Sequence, residues 1–166
     1  MTESRDDYRL QRIVSGGQTG VDRAALDAAI AFGIPHGGWC PRGRLAEDGA
    51  IPERYALHET ESDEYPVRTL QNVLDSDGTL IVYRVIMMGG TLLTANLARE
   101  HRKPCLSLDL TEEINFTEIQ AWLTSHQIKV LNVAGPRESS SPGMTDEAFR
   151  LIKQLLSITN GPATES

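Results

Sequence analysis

Two rhythms of apolar residues alternate along this chain. Short apolar runs over residues 12–15, 79–83, 105–108 and 129–134 read as strands, and 79–83 (Thr-Leu-Ile-Val-Tyr) is apolar and β-branched enough to be a central one. Between them apolar residues return every three or four positions, which predicts helices over 19–32, 66–74, 92–102, 116–125 and 144–156. The inward stripes are Val67, Leu70, Val73 and Leu74 in the second helix, Ile119, Trp122 and Leu123 in the fourth, and Phe149, Ile152, Leu155 and Leu156 in the last. Punctuation supports these bounds: Gly33 and Pro35 close the first helix, Ser62 to Glu64 cap the second with Pro66 in its first turn, and Lys103-Pro104 end the third. Residues 36–44 read as a brief strand entering a loop that runs to Pro52, and 55–60 as another short strand. The polar ends, 1–8 and 160–166, are expected to fray.

Strands that alternate with helices argue for a parallel sheet covered on both faces and joined by right-handed crossovers. In such sheets ligands sit beyond the carboxyl ends of the strands. The glycine-bearing junctions at 16–20, 37–44, 89–91 and 135–137 all fall at those ends and are expected to line one crevice.

The first junction, Ser15-Gly16-Gly17-Gln18-Thr19-Gly20-Val21-Asp22, carries the strongest chemical signal. A strand that enters a helix through small residues leaves the helix's first N–H groups aimed at one point, with the helix dipole behind them, which makes an anion seat. Thr19 and Asp22 have the spacing of a weak capping box, which places the helix start at Thr19. The competing reading is a plain tight turn. The spacing matches neither the dinucleotide fingerprint nor the P-loop.

Composition narrows the ligand. A chain of 166 residues, 40% hydrophobic and 23% charged, suits one soluble domain. A net charge of −7 argues against nucleic acid and against anionic membranes, both of which need a basic footprint. No segment reaches the roughly 18 apolar residues of a membrane helix. Two isolated cysteines and a polar start without an apolar signal core make the cytoplasm the default compartment.

An anion bound by an acidic protein must be held by local groups. Arg23, Arg42, Arg44 and Arg137 stand in or beside the glycine junctions, and guanidinium grips oxyanions bidentately. Arg42 and Arg137 are the favoured contacts; pairing with Glu47, Asp48 or Glu138, or with Asp27 in the case of Arg23, is the bland alternative. Thr91 and Thr94 open the third helix and offer hydroxyls to the same anion. Cys40, beside Trp39 and Arg42, is either a reactive thiol or, more commonly for a lone cysteine, a small buried hydrophobe; Cys105 reads as core. No histidine has a partner pattern, no metal-ligand spacing occurs, and no Ser-His-Asp order or nucleophile elbow is present. From the residues alone, the chain binds a phosphorylated or otherwise anionic small molecule.

A resemblance sharpens this. The segments Gly16-Gly17-Gln18-Thr19-Gly20-Val21-Asp22-Arg23, Gly38-Trp39-Cys40-Pro41-Arg42-Gly43-Arg44, Ser76-Asp77-Gly78-Thr79, Gly89-Gly90-Thr91 with Thr94, and Asn132-Val133-Ala134-Gly135-Pro136-Arg137, in this order, resemble the molybdenum cofactor carrier family over about residues 12–157. The resemblance implies a single three-layer Rossmann-like domain, akin to lysine-decarboxylase-like proteins and the cytokinin-activating phosphoribohydrolases. It also implies binding or protection of molybdenum cofactor by a homo-oligomer, with molybdoenzymes as acceptors. Residues 17–20 and 89–91 would then face the anionic end of this phosphorylated pyranopterin, whose molybdenum arrives with the ligand, and Trp39 would either stack on the pterin or sit in the core. The candidate binding set is Gly16, Gly17, Gln18, Thr19, Gly20, Asp22, Arg23, Trp39, Arg42, Arg44, Gly89, Gly90, Thr91, Thr94 and Arg137. The related hydrolases carry Gly-Gly-x-Gly-Thr-x-x-Glu with a catalytic Glu; here the motif's second glycine is missing and Thr94 stands at the Glu place. Threonine is no general base at neutral pH, so a carrier is favoured over a nucleoside-monophosphate hydrolase, for which Asp22 or Glu47 would have to supply the acid. A nucleotide-sensing module acting with a separate effector is a third reading.

Overall fold

The computed structural model describes residues 8–162. Its elements in chain order are β1 (Arg12–Val14), α1 (Val21–Phe32), β2 (His36–Gly37), β3 (Trp39–Cys40), β4 (Leu45–Ala46), β5 (Gly49–Ala50), β6 (His58–Glu59), α2 (Tyr65–Asp75), β7 (Gly78–Tyr83), α3 (Gly89–Glu100), β8 (Cys105–Asp109), α4 (Phe116–Ser125), β9 (Val130–Ala134) and α5 (Met144–Thr159). Five strands form one parallel sheet in the order β2-β1-β9-β7-β8. The expected α/β Rossmann-like architecture is therefore present. The middle strand is β9, with the apolar β7 beside it, one place from the edge strand β8.

Alternation along the strands divides the interior. In β9, Leu131 and Val133 join Leu80 and Val82 of β7 in a core with Val21, Ala24, Ala25, Ala28 and Ala29 of α1, Ile119 and Leu123 of α4, and Ala148, Ile152, Leu155 and Leu156 of α5. The row of alanines on α1 brings α5 close against it. The intervening residues point to the other face, where Asn132 is paired in register with Thr79 and donates through Nδ2 to its Oγ1 at 3.2 Å. Right-handed crossovers place α2 and α3 on this second face, packed against each other. One face of the sheet is thus oily and sealed, whereas the other carries buried polar groups.

Several bounds depart from the expected ones. Helix α1 begins at Val21, since Gly20, with φ 81°, cannot continue a right-handed helix, and the Thr19 side chain caps nothing in it. Helix α3 begins at Gly89, three residues early, so Gly89-Gly90-Thr91 form its first turn. Helix α2 is rotated from its expected seating: its buried residues are Arg68, Asn72 and Val73, and Val67 and Leu74 are exposed. Cys105 is half-buried because β8 is an edge strand. Cys40 is buried with Leu26, Ile51 and Tyr55 in a small second core, and burial pushes its thiol pKa up.

At the ends, Tyr8 is buried and donates to the Ile128 carbonyl, while Asn160 brackets Leu10, accepting from its N–H at 3.1 Å and donating to its carbonyl at 2.8 Å. These two residues, expected to fray, are tied to the body; residues 1–7 and 163–166 lie outside the described residues.

Candidate functional site

A cavity of about 640 Å³ opens at the carboxyl ends of β1, β9 and β7, within the size range of roughly 300–1,000 Å³ usual for small-molecule sites. Gly16, Gln18 and Asp22 come from the β1–α1 junction, Gly135, Pro136, Arg137 and Ser139 from the segment after β9, and Arg84, Ile86 and Met88 from the loop after β7. The polar face of the sheet forms its wall through Asn132, and α2 covers it with Arg68, Thr69 and Asn72. The first turn of α3 adds Gly89, Gly90, Thr91 and Thr94.

The two helix N-termini at this edge are different. At α1 the chain itself supplies partners: Val21 N–H reaches the Pro136 carbonyl at 3.3 Å, Arg23 N–H the Gln18 carbonyl at 3.1 Å, and just before the helix Gln18 N–H reaches the carboxylate of Asp22 at 3.3 Å. Asp22 is a built-in anion at this dipole, and a second anion beside it would be repelled. At α3 the N–H groups of Gly89 and Gly90 have no partner among the described residues, and a side chain built on either glycine would meet only open space. The helix N-terminus with unpartnered donors is therefore that of α3, with Arg84 and Arg137 on the same cavity wall, an arrangement suited to an anion.

Both arginines are anchored at the mouth. Arg84 donates to the Pro142 carbonyl at 2.9 Å and pairs with Glu147 at 2.6 Å. Arg137 lies 5.6 Å from the centre of the Tyr65 ring and 4.0 Å from Glu47, with its side chain 40% exposed. Deeper in, Arg68 is buried, donating from Nη1 to the Gly16 carbonyl at 2.8 Å and standing 3.9 Å from Asp22. Burial raises the Asp22 pKa from 3.8 to about 6, against the lowering pull of Arg68 and of the backbone N–H groups of Gln18 and Gly16.

Of the expected binding set, Gly16, Gln18, Asp22, Gly89, Gly90, Thr91, Thr94 and Arg137 share this cavity. The others stand elsewhere, in frame positions. Gly20 packs its backbone against the Pro136 carbonyl, where an added Cβ would sit 2.3 Å from the oxygen, and Gly17 turns under Ile51 and Leu57. Thr19 donates to Glu47 and accepts from Glu138 N–H. Arg23 pairs with Asp48 at 2.5 Å. Arg44, with φ 55°, gathers the carbonyls of Ile51, Pro52 and Tyr55 and so organises the 44–57 loop. Arg42 is exposed, and Trp39 donates from Nε1 to Asp75 at 2.6 Å beside His58, in a smaller pocket of about 300 Å³. The 37–44 junction is diverted from the main cavity because β3 leaves the sheet to pair with β6. Thr94, at the place of the hydrolases' Glu, turns its hydroxyl back onto the Gly90 carbonyl at 2.8 Å. Among the described residues no cluster of His, Cys, Asp or Glu is arranged to hold a metal ion, and no helix is long and apolar enough to cross a membrane.

Comparison with known proteins agrees with this fold. Residues 13–156 match the model of the circularly permutated YpsA SLOG family, nearly the whole described chain. The chain belongs to that family. A crystal structure of a putative molybdenum carrier protein from Syntrophus aciditrophicus SB shares 46% identity with this SLOG chain, superposes with a TM-score of 0.87, and is matched over 92% of this chain and 99% of that one. The resemblance to molybdenum carriers thus extends through the whole fold. No curated protein matches.

In this member of the SLOG family the cavity also uses residues that strand-end reasoning passes over: Arg68 and Asn72 on α2, Asn132 inside β9, and Arg84 after β7. Arg68 and Asn72 stand four apart, so they share one helix face, and Asn132 interrupts an apolar strand. Polar residues at positions where periodicity calls for core are the signal that points to a buried site.

Proposed function

We propose that this protein binds molybdenum cofactor as its cargo, a phosphorylated pyranopterin held without covalent chemistry. The observation that carries the reading is the unfilled N-terminus of α3 on one wall of a ligand-sized cavity together with Arg84 and Arg137. In this reading the phosphate docks on the N–H groups of Gly89 and Gly90, where helix dipole and guanidinium charge act together. The absence of a Cβ at both positions lets the oxygens reach the backbone. The wide, half-polar remainder of the cavity takes the ring system, and the dithiolene brings its own molybdenum. Support comes from the 46% identical structure, which is that of a putative molybdenum carrier protein.

Carriage is preferred to hydrolysis because Thr94 supplies no acid at the place where the related hydrolases use Glu, and its hydroxyl is committed to the helix. The reading includes self-association, for which Val67, Leu74 and Leu92 on α2 and α3 offer exposed apolar contacts; sedimentation velocity checks it. The deciding experiment is anaerobic titration with molybdenum cofactor, with AMP as competitor and free base followed by chromatography. Saturable binding without base release is expected. No affinity for the cofactor, or release of adenine from AMP, overturns the reading.

A further inference from the structure

The inner wall of the cavity holds an unpartnered amide beside a buried carboxylate. Gln18 is only 4% exposed, and its Oε1 accepts two backbone N–H groups, from Thr19 at 3.1 Å and from Glu47 at 2.9 Å. Those two donors fix which end of the amide is oxygen, so Nε2 faces the other way. There it is left as the one buried side-chain nitrogen or oxygen without a hydrogen-bond partner among the described residues. An orphaned buried donor costs about 1–3 kcal/mol, and natural sites retain one where a ligand satisfies it.

Beside it stands Asp22, 6% exposed, lining the same cavity, and linked to Gln18 through the backbone N–H of that residue at 3.3 Å. A carboxylate only accepts. The nearby guanidinium of Arg68 gives two of its five N–H groups to the Gly16 carbonyl at 2.8 Å and the Thr69 hydroxyl at 3.2 Å, and stands 3.9 Å from Asp22, whose charge it balances. Gln18 and Asp22 thus set one unpartnered amide donor beside one acidic acceptor, with the Arg68 guanidinium as their neighbour. The complement of that pair is a ring edge with a carbonyl oxygen adjacent to N–H groups. A carboxylate also repels phosphate, which assigns the two ends of the ligand to different walls.

We propose that Gln18 and Asp22 form a ring-reading subsite that takes the edge of a 2-aminopyrimidin-4-one, the ring shared by pterins and guanine: the carbonyl accepts from Gln18 Nε2, while the ring N–H and the 2-amino group donate to the Asp22 carboxylate. The inference rests on the cargo reading above, and adds to it the ligand's orientation and the basis of its selectivity. A buried acceptor left facing a ligand without the matching donor is penalised more heavily than a lost contact alone, so the 2-amino group is the discriminating feature.

The test is calorimetric titration of the full chain with 6-hydroxymethylpterin monophosphate, its 2-deamino analogue, GMP, IMP and methyl phosphate. The unmodified protein should bind each 2-amino compound at least tenfold more tightly than its partner lacking that group, and the stronger of the pterin and guanine arms names the ring. In Asp22→Asn the ratio should fall below twofold, while methyl phosphate, relieved of a repelling carboxylate, should bind no more weakly than to the unmodified protein. Gln18→Glu, which keeps the oxygen that Thr19 and Glu47 need, should weaken every ring compound by a larger factor than methyl phosphate, which feels only the added charge. Because the ligand series is measured on the unmodified protein, misfolding of a variant does not remove the test. Equal binding of amino and deamino compounds overturns the subsite while the anion seat stands; if no phosphorylated compound binds, the cargo reading falls with it.

Discussion

Asp22 carries a cost that can be read directly as a pH dependence of stability. Its carboxyl is buried and its pKa stands at about 6, against 3.8 for an unperturbed aspartate. Between about pH 4 and pH 6 the folded protein holds a proton that the unfolded chain has lost, so stability falls as pH rises through this window, and the loss is complete above it. A shift of about 2 units at 1.36 kcal/mol each makes the ionised group roughly 3 kcal/mol less stable in the fold than the neutral acid. Asn at this position retains an oxygen for the Gln18 N–H and cannot ionise. Urea denaturation of the native chain and of Asp22→Asn, each from pH 4 to pH 8, isolates the contribution, because every other titrating group is common to both. The stability difference should move by roughly 3 kcal/mol in favour of the variant between pH 4 and pH 7 and level off above. A difference that stays flat within about 0.5 kcal/mol would show that Asp22 titrates alike in both states, and the argument from burial would be refuted.

Three further outcomes follow from the packing. Gly135→Ala places a methyl group 2.3 Å from the Val82 carbonyl and 2.5 Å from Val21, both fixed by the sheet and α1, so the urea midpoint should drop by the equivalent of about 3 kcal/mol. Glu47 accepts from Thr19, from Ser139 N–H and from Ser139 hydroxyl, bonds that also hold its pKa below the usual range. Glu47→Ala should cost only about 1 kcal/mol, as befits a partly solvated strap, yet speed amide hydrogen exchange at Ser139 by tenfold or more. Arg137→Ala should weaken methyl phosphate binding by roughly tenfold at low salt, the loss of one charge-assisted contact, whereas Arg42→Ala, outside the cavity, should leave it unchanged. Equal effects from the two arginines would remove Arg137 from the site.

The sequence makes the layered fold readable because each layer has its own period. Strand β7 is a continuous apolar run and α5 a clean helical stripe, so no tertiary knowledge is needed to place them in a buried parallel sheet and on its face. What periodicity cannot supply is the rotation of a helix whose buried face is polar. In α2 the stripe of Val67, Leu70, Val73 and Leu74 competes with Arg68 and Asn72 for the interior, and the polar pair turns inward because Arg68 bonds the Gly16 carbonyl and Asn72 bonds Trp39 N–H and C=O, beside the open volume of the cavity. Nonpolar residues at 68 and 72 would have left the Gly16 carbonyl and the Trp39 backbone without the bonds that Arg68 and Asn72 make to them.

The same reasoning separates two kinds of glycine junction at this edge of the sheet. Glycines at 16, 17 and 20 do mark a place where backbone approaches closely, but at Gly20 what approaches is the 136–138 segment of the chain itself, and at Gly16 it is Arg68. Gly89 and Gly90 face open space. Sequence reports that a Cβ is not tolerated or not needed; only the fold distinguishes a glycine crowded by its own protein from one cleared for a ligand. Asp22 adds the electrostatic half of that distinction. A helix N-terminus that already holds a carboxylate has filled its own anion seat; in the proposed reading Gln18 and Asp22 are then left to select a ring, and the phosphate goes to the helix whose first turn contains no acid.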